Sequence, residues 1–226
     1  MEPLLKKKKL LFIQLNELNL ELVQKYSNNI NFKFFNKNFF KKLMVTSSET
    51  NYELLEPWIQ WASVYTGKTA KEHNIFRLGD IEKYNGSSMF NVIEELNKSV
   101  GIICSMNLKN NLKKPKYFLS DPWTNTPSGP GKIIQFVSKT ISKAVNMNSH
   151  KSMSVILYCR IFAVLLISFR FKNILLYLKL FFNIKNKWNK ALLLDLILHD
   201  LHLNLIKKHK TDFSCIFLNA GAHIQH

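Results

Sequence analysis

Residues 10–15, Leu-Leu-Phe-Ile-Gln-Leu, form a short apolar run behind a lysine cluster at 6–9, with the length and composition of a buried strand. Over 17–26 the spacing turns helical, with Leu18, Leu22 and Val23 on one side. A strand running straight into a helix is how α/β folds open. Residues 28–42 are aromatic and basic and give no clear period, while 42–46 read as a second short strand before a polar loop to Asn51. Glu56-Pro57 marks a helix start, because proline is tolerated at the first helical position. That helix is predicted to run through Trp58, Trp61, Ala62 and Tyr65 to Gly67, which suits the residue just past a helix end. Ser88 caps a predicted helix over 89–97, and 100–105 and 117–119 read as strands. From 131 to 209 the pattern is helical, broken near 146–149 and 183–187, and 213–218 returns to a strand. The order β-α-β-α-β-β, helices, β predicts one α/β domain over 1–226. Its mostly parallel sheet is flanked by helices and carries a long helical insertion at about 131–209. No internal repeat is visible.

Composition adds a charge question. The chain has 32 basic against 15 acidic residues, a net +17, and 46% of its residues are apolar, enough for a core. Such a balance attracts anionic substrates, lipid surfaces or nucleic acid. The 24 asparagines and the excess of lysine over arginine also fit a compositional bias without a ligand. No nucleic-acid module is recognisable, so no specific nucleic acid is expected. The stretch 160–190, with Lys172, Lys179, Lys185, Lys187 and Lys190 among apolar residues, leaves two readings open. One is a peripheral contact with an anionic membrane; the other is a core-facing helix pair with a lysine-rich outer face.

The N-terminal lysine cluster imitates a signal peptide, but the apolar run breaks at Gln14 and Asn16. The apolar region 155–182 is interrupted by Arg160, Arg170, Lys172 and Lys179, and its longest charge-free run, 161–169, is about half a bilayer span. Cys104, Cys159 and Cys215 are scattered, without a CxxC, as in a reducing compartment. The expected location is cytoplasmic, with peripheral contact to an inner membrane, no signal peptide and no transmembrane span.

Two constellations come from spacing alone. On a helix over 190–208, Asp195, His199 and His202 fall at i, i+4 and i+7 within an apolar arc, with Asp200, Asn204 and Lys207 on the opposite, polar face. Polar groups in such an arc need partners: each other and nearby backbone, a substrate pocket, or a metal. Residues 62–69, Ala-Ser-Val-Tyr-Thr-Gly-Lys-Thr, miss a phosphate-binding loop by its first glycine and lie at a predicted helix end, so that reading is set aside.

The segment 61–75, Trp-Ala-Ser-Val-Tyr-Thr-Gly-Lys-Thr-Ala-Lys-Glu-His-Asn-Ile, resembles part of the alkaline phosphatase superfamily, which includes sulfatases and nucleotide pyrophosphatase/phosphodiesterases. The strand 12–17, ending Leu15-Asn16-Glu17, sits where that family has a strand ending in a metal-binding Asp. The segment 217–226 is similar to the later strand supplying an Asp and a His to the metals, and Ser120-Asp121-Pro122-Trp123 is similar to a Pro-Asp-Pro-Trp step of some relatives. The resemblance implies attack on a phosphate, phosphonate or sulfate ester, with zinc or manganese stabilising the developing charge. A bacterial anionic glycan or lipid-linked intermediate is a substrate class of that kind.

The departures define the candidate residues. The nucleophile position falls on Pro57 or Leu55, neither of which can attack phosphorus, which leaves Glu56 as candidate base or ligand, or as a first-turn acid favouring the helix dipole. The first metal position is Asn16 beside Glu17. The later Asp position reads Ala222 or Asn219, leaving His223 and His226, three apart, as ligands on one helical turn. The late Asp-His pair of the family has no counterpart, so the domain is expected to be incomplete at its C-terminal side and inactive alone. A site drawing Asn16, Glu56 and His223 together is the geometric expectation.

Overall fold

The computed structural model describes residues 9–27, 37–47, 49–147 and 153–225. In chain order the elements are β1 (Leu10–Leu15), α1 (Leu20–Tyr26), α2 (Lys37–Phe40), α3 (Pro57–Thr66), α4 (Ala70–His73), α5 (Met89–Glu95), β2 (Val100–Ile103) and β3 (Tyr117–Leu119). They are followed by α6 (Lys132–Met147), α7 (Val155–Ser168), α8 (Ile174–Phe182), α9 (Lys187–His209), β4 (Phe213–Leu218) and α10 (Ala220–Gln225). The four strands form one parallel sheet in the order β1-β4-β2-β3. The protein is α/β, as its periodicity predicts.

Parallel strands covered on both faces are largely apolar on both, as β2, β3 and β4 are, whereas β1 at the sheet edge leaves Leu10, Leu11 and Ile13 exposed. Ile103, Tyr117, Leu119 and Ile216 face a core shared with α6, α7, α8 and α9. Their neighbours Ile102, Phe118 and Cys215 face Tyr65 of α3 and Phe90 of α5. The connection from β1 to β2 passes over the slot that β4 fills, and the connection from β3 to β4 returns the other way. Right-handed crossovers running in opposite directions cover opposite faces, which sorts α3 and α5 from α6–α9. The helical block predicted as an insertion is thus the crossover that seals one face of the sheet.

Local signals set several boundaries. Proline opens α3, and Gly67, at φ 65°, closes it in the left-handed region with its N–H on the Ser63 carbonyl. Ser88 and Asn91 form a reciprocal cap on α5. Two expectations are corrected. Residues 43–47 form no strand: Met44 and Val45 lie exposed, and no described strand offers them a ladder partner. The first helix starts at Leu20, because Glu17 sits at φ 50° and the Asn19 side chain caps the Leu22 N–H.

His202 is 2% exposed, edge-on to the Tyr117 ring, with no hydrogen-bond partner for Nε2 among the described residues. Burial, helped by nearby His199, lowers its pKa from 6.5 to about 4. Below the unfolded value the denatured chain takes a proton that the fold refuses, so stability falls as pH drops from about 6.5 towards about 4. Buried Asp121 and Asp195, whose carboxyls are pushed up, contribute with the opposite sign and are common to any His202 variant. We expect His202→Leu to gain roughly 2 kcal/mol relative to wild type between pH 7.5 and about pH 5, measured by urea denaturation. Parallel pH profiles would contradict this.

Candidate functional site at the carboxyl edge of the sheet

β1 and β4 lie side by side, yet the chain leaves them towards opposite faces: after β1 to the layer of α3 and α5, after β4 to α10, which packs on α9. Such a switch of direction opens a crevice beyond the carboxyl ends of the two strands, the usual ligand position in an open α/β sheet. Here the ends of the two strands are joined by a directed chain of hydrogen bonds. The Trp61 indole Nε1–H of α3 donates to Asn16 Oδ1 at 3.0 Å, Asn16 Nδ2 donates to Asn219 Oδ1 at 2.9 Å, and Asn219 Nδ2 lies 3.4 Å from His223 Nε2. An indole N–H can only donate, so it fixes the orientation of both amides in turn. In that order Nε2 of His223 accepts and Nδ1 carries the proton. The chain starts in the half-buried wall of α3 and ends on an exposed imidazole.

Two further contacts seat α10. The Asp195 carboxylate accepts the Ala220 N–H at 2.7 Å and the Asn219 N–H at 3.2 Å, holding the start of the helix, while burial pushes its carboxyl up. Gly221 lets the helix approach β1: a Cβ there would stand 3.0 Å from the Asn16 carbonyl oxygen. The Gln225 side chain donates to the Glu17 carbonyl. Trp61 also meets Phe217 of β4 edge-on, with centroids 5.5 Å apart.

The predicted residues therefore divide. Asn16, Asn219 and His223 are joined, and Glu17 is exposed beside them. Glu56 stands exposed before α3, its carbonyl receiving the Ile59 and Gln60 N–H groups, and no hydrogen bond or ion pair among the described residues joins it to Asn16 or His223. His226 lies outside the described residues. Asp195, His199 and His202 do not converge: Asp195 holds α10, His199 Nδ1 lies 3.0 Å from Asp200 Oδ1, and His202 faces Tyr117. The face assigned to solvent is also corrected. Asp200 is fully buried, accepting from Asn173 and Tyr177, and Asn204 donates to the Ser168 carbonyl, because α7 and α8 wrap this side of α9.

The donor set does not suit a divalent metal. Both amide oxygens accept hydrogen bonds, neither carries charge, and among the described residues no group of three or more His, Cys, Asp or Glu is placed to hold an ion. A Ser–His pair on α3 and α4 is equally unsuited to nucleophilic attack. His73 Nδ1 accepts the Ile75 N–H at 3.0 Å, so its proton sits on Nε2 and is donated to Ser63 Oγ at 2.9 Å. An imidazole in that tautomer cannot take the serine proton.

No protein-family model, curated protein or solved structure matches the chain.

A second node lies on the same edge, built on Asp121 of the 120–123 step and on Asn107, which sequence reasoning missed. Asp121, buried after β3, accepts from the N–H groups of Asn107, Trp123 and Thr124 and from the Thr124 hydroxyl. Asn107, buried at φ 52°, donates to the Trp58 and Arg77 carbonyls and accepts the Gly79 N–H. Burial pushes the Asp121 carboxyl up, against the pull of those bonds. With its donors all supplied by backbone and Thr124, this carboxylate ties loops together.

If Asp195 holds α10 in place, Asp195→Ala lowers stability by about 1–2 kcal/mol and Asp195→Asn by less, read by chemical denaturation. Equal losses in the two variants would mean that the helix-start bonds contribute nothing.

Proposed function

We propose that the chain is a divergent relative of the phosphate- and sulfate-ester-handling domains its sequence resembles, and that it engages an anionic ester at the crevice between the ends of β1 and β4. The observation supporting this is the convergence of three segments that carry the resemblance: Asn16 is hydrogen-bonded to both Trp61 and Asn219, although the three lie far apart in sequence. His223 closes the chain and is the group available to the ester, its Nδ1–H offered to an anionic oxygen while Nε2 is held by Asn219. Successive donors polarise one another, which strengthens the last one.

In this reading the domain binds the ester without cleaving it. The nucleophile position holds Pro57 or Leu55, and neutral asparagines stand where carboxylates would bind metal. Three free thiols, two of them buried, fit a cytoplasmic place.

The test is calorimetric titration of 4-nitrophenyl phosphate into the full chain with EDTA present. We expect saturable binding without turnover, weakened at least roughly fivefold, about 1 kcal/mol, by His223→Ala. Absence of saturable heat, binding that vanishes in EDTA, or affinity indifferent to His223→Ala would overturn the proposal.

A further inference from the structure

The bent pair α7–α8 departs from the ordinary rule for surface helices. A helix packed on a core shows apolar residues inward and polar residues outward. The inward residues here are as required: Leu157, Val164 and Ser168 of α7 and Tyr177 and Leu180 of α8 are buried, with α7 packed on α6 and α9, and α8 on α9. The outward residues are apolar as well. On α7 they are Val155, Tyr158, Phe162 and Leu166, spaced as one stripe. A second stripe, Phe171, Leu175, Leu178 and Phe182, follows beyond the bend, and Phe171, Leu175 and Phe182 are 83%, 79% and 79% exposed. Exposed apolar stripes on two successive helices go beyond the single apolar residues normal on a surface and mark an interaction site.

Charge says what covers it. Between Asp121 and Asp195 the sequence has eleven basic residues and no acidic one. Lys172, Lys179, Lys185 and Lys190 are exposed on and beside α8. A second copy of this surface would bring cations against cations with no acid to pair them. An anionic bilayer offers an apolar layer and negative headgroups in one surface, which matches both features at once.

Length says how it is covered. α7 has 14 residues and α8 has 9, roughly 21 and 14 Å, against a hydrocarbon core of about 30 Å. Among the described residues no single helix is long and apolar enough to cross a membrane, and the two are bent by 112°. On the inner side the pair is fixed, since Asp200 accepts from both Asn173 at the bend and Tyr177 of α8.

The geometry points to α7–α8 as a monotopic docking surface for an anionic membrane leaflet, its apolar stripes in the headgroup–acyl boundary and its lysines on lipid phosphates. The inference stands apart from the ester reading, because none of the residues at the strand ends takes part.

Flotation with vesicles of phosphatidylcholine alone, and with about one-third phosphatidylglycerol, tests it. The full chain is expected to bind the anionic vesicles at least roughly tenfold better, with binding falling between about 0.1 M and about 0.5 M salt. The double variant Leu175→Glu/Phe182→Glu should lose at least roughly tenfold in binding while keeping the wild-type circular dichroism and melting temperature, since both side chains are exposed. Lys172→Glu/Lys179→Glu should erase the preference for anionic lipid and leave residual binding. Failure to bind either vesicle, or binding that ignores Leu175→Glu/Phe182→Glu, would overturn the assignment. So would a vesicle-independent dimer that this variant disperses.

Discussion

A tryptophan N–H that can only donate sets the direction of everything at the carboxyl edge. Trp61 belongs to α3, Asn16 to the end of the first strand and Asn219 to the end of the last, and the two bonds among them join three parts of the chain in one place. Among the described residues β1 pairs with no strand but β4, so this edge of the sheet depends on a strand that forms after some two hundred further residues have been made. Each bond contributes only about 1 kcal/mol net, but loss of one partner strands a buried amide at a cost of about 1–3 kcal/mol. Closing so long a loop is unfavourable, and specific contacts at its end make the register unambiguous.

The same interaction explains why the polar residues here behave as they do. An aspartate at position 16 could accept from Trp61 but could not donate to Asn219, and an aspartate at 219 could not donate to His223. Neutral amides keep the chain of donors intact at the expense of metal affinity. Asp195 and Asp121, which are charged, are each surrounded by N–H donors and act on the backbone. The chain ends on the exposed imidazole of His223, whose Nδ1–H points beyond the amides. On the face covered by α6–α9 the chemistry is different: apolar residues point outward on α7 and α8, and exposed lysines stand on and beside α8.

Much of this was legible before the structure. The first strand and the last follow from apolar runs, although β1, expected to be buried, lies at the sheet edge with Leu10, Leu11 and Ile13 exposed; α3 follows from Pro57 and Gly67, and α5 from Ser88. The family resemblance drew Asn16, Glu56 and His223 together, and Asn16 and His223 are linked through Asn219 while Glu56 stands apart; local spacing alone could not join them, because their meeting depends on the order β1-β4-β2-β3. Helical periodicity placed Asp200 on a solvent face because it sees one helix at a time; α7 and α8 wrap that face and bury it. Residues 42–46 look like a strand by composition, but a strand is made by its neighbours and here has none described. Asn107 gave no signal, being a single polar residue whose role comes from a left-handed backbone and three distant partners.

The most direct measurement is hydrogen exchange at the Trp61 indole, followed by NMR in the intact chain and in Asn16→Ala. If Trp61 is clasped to Asn16 and through it to Asn219, its Nε1–H exchanges slowly, and Asn16→Ala accelerates it by at least roughly tenfold while strand amides in β2 stay protected. A fast indole N–H in the unsubstituted protein, or one indifferent to Asn16→Ala, would contradict the convergence on which the ester site rests.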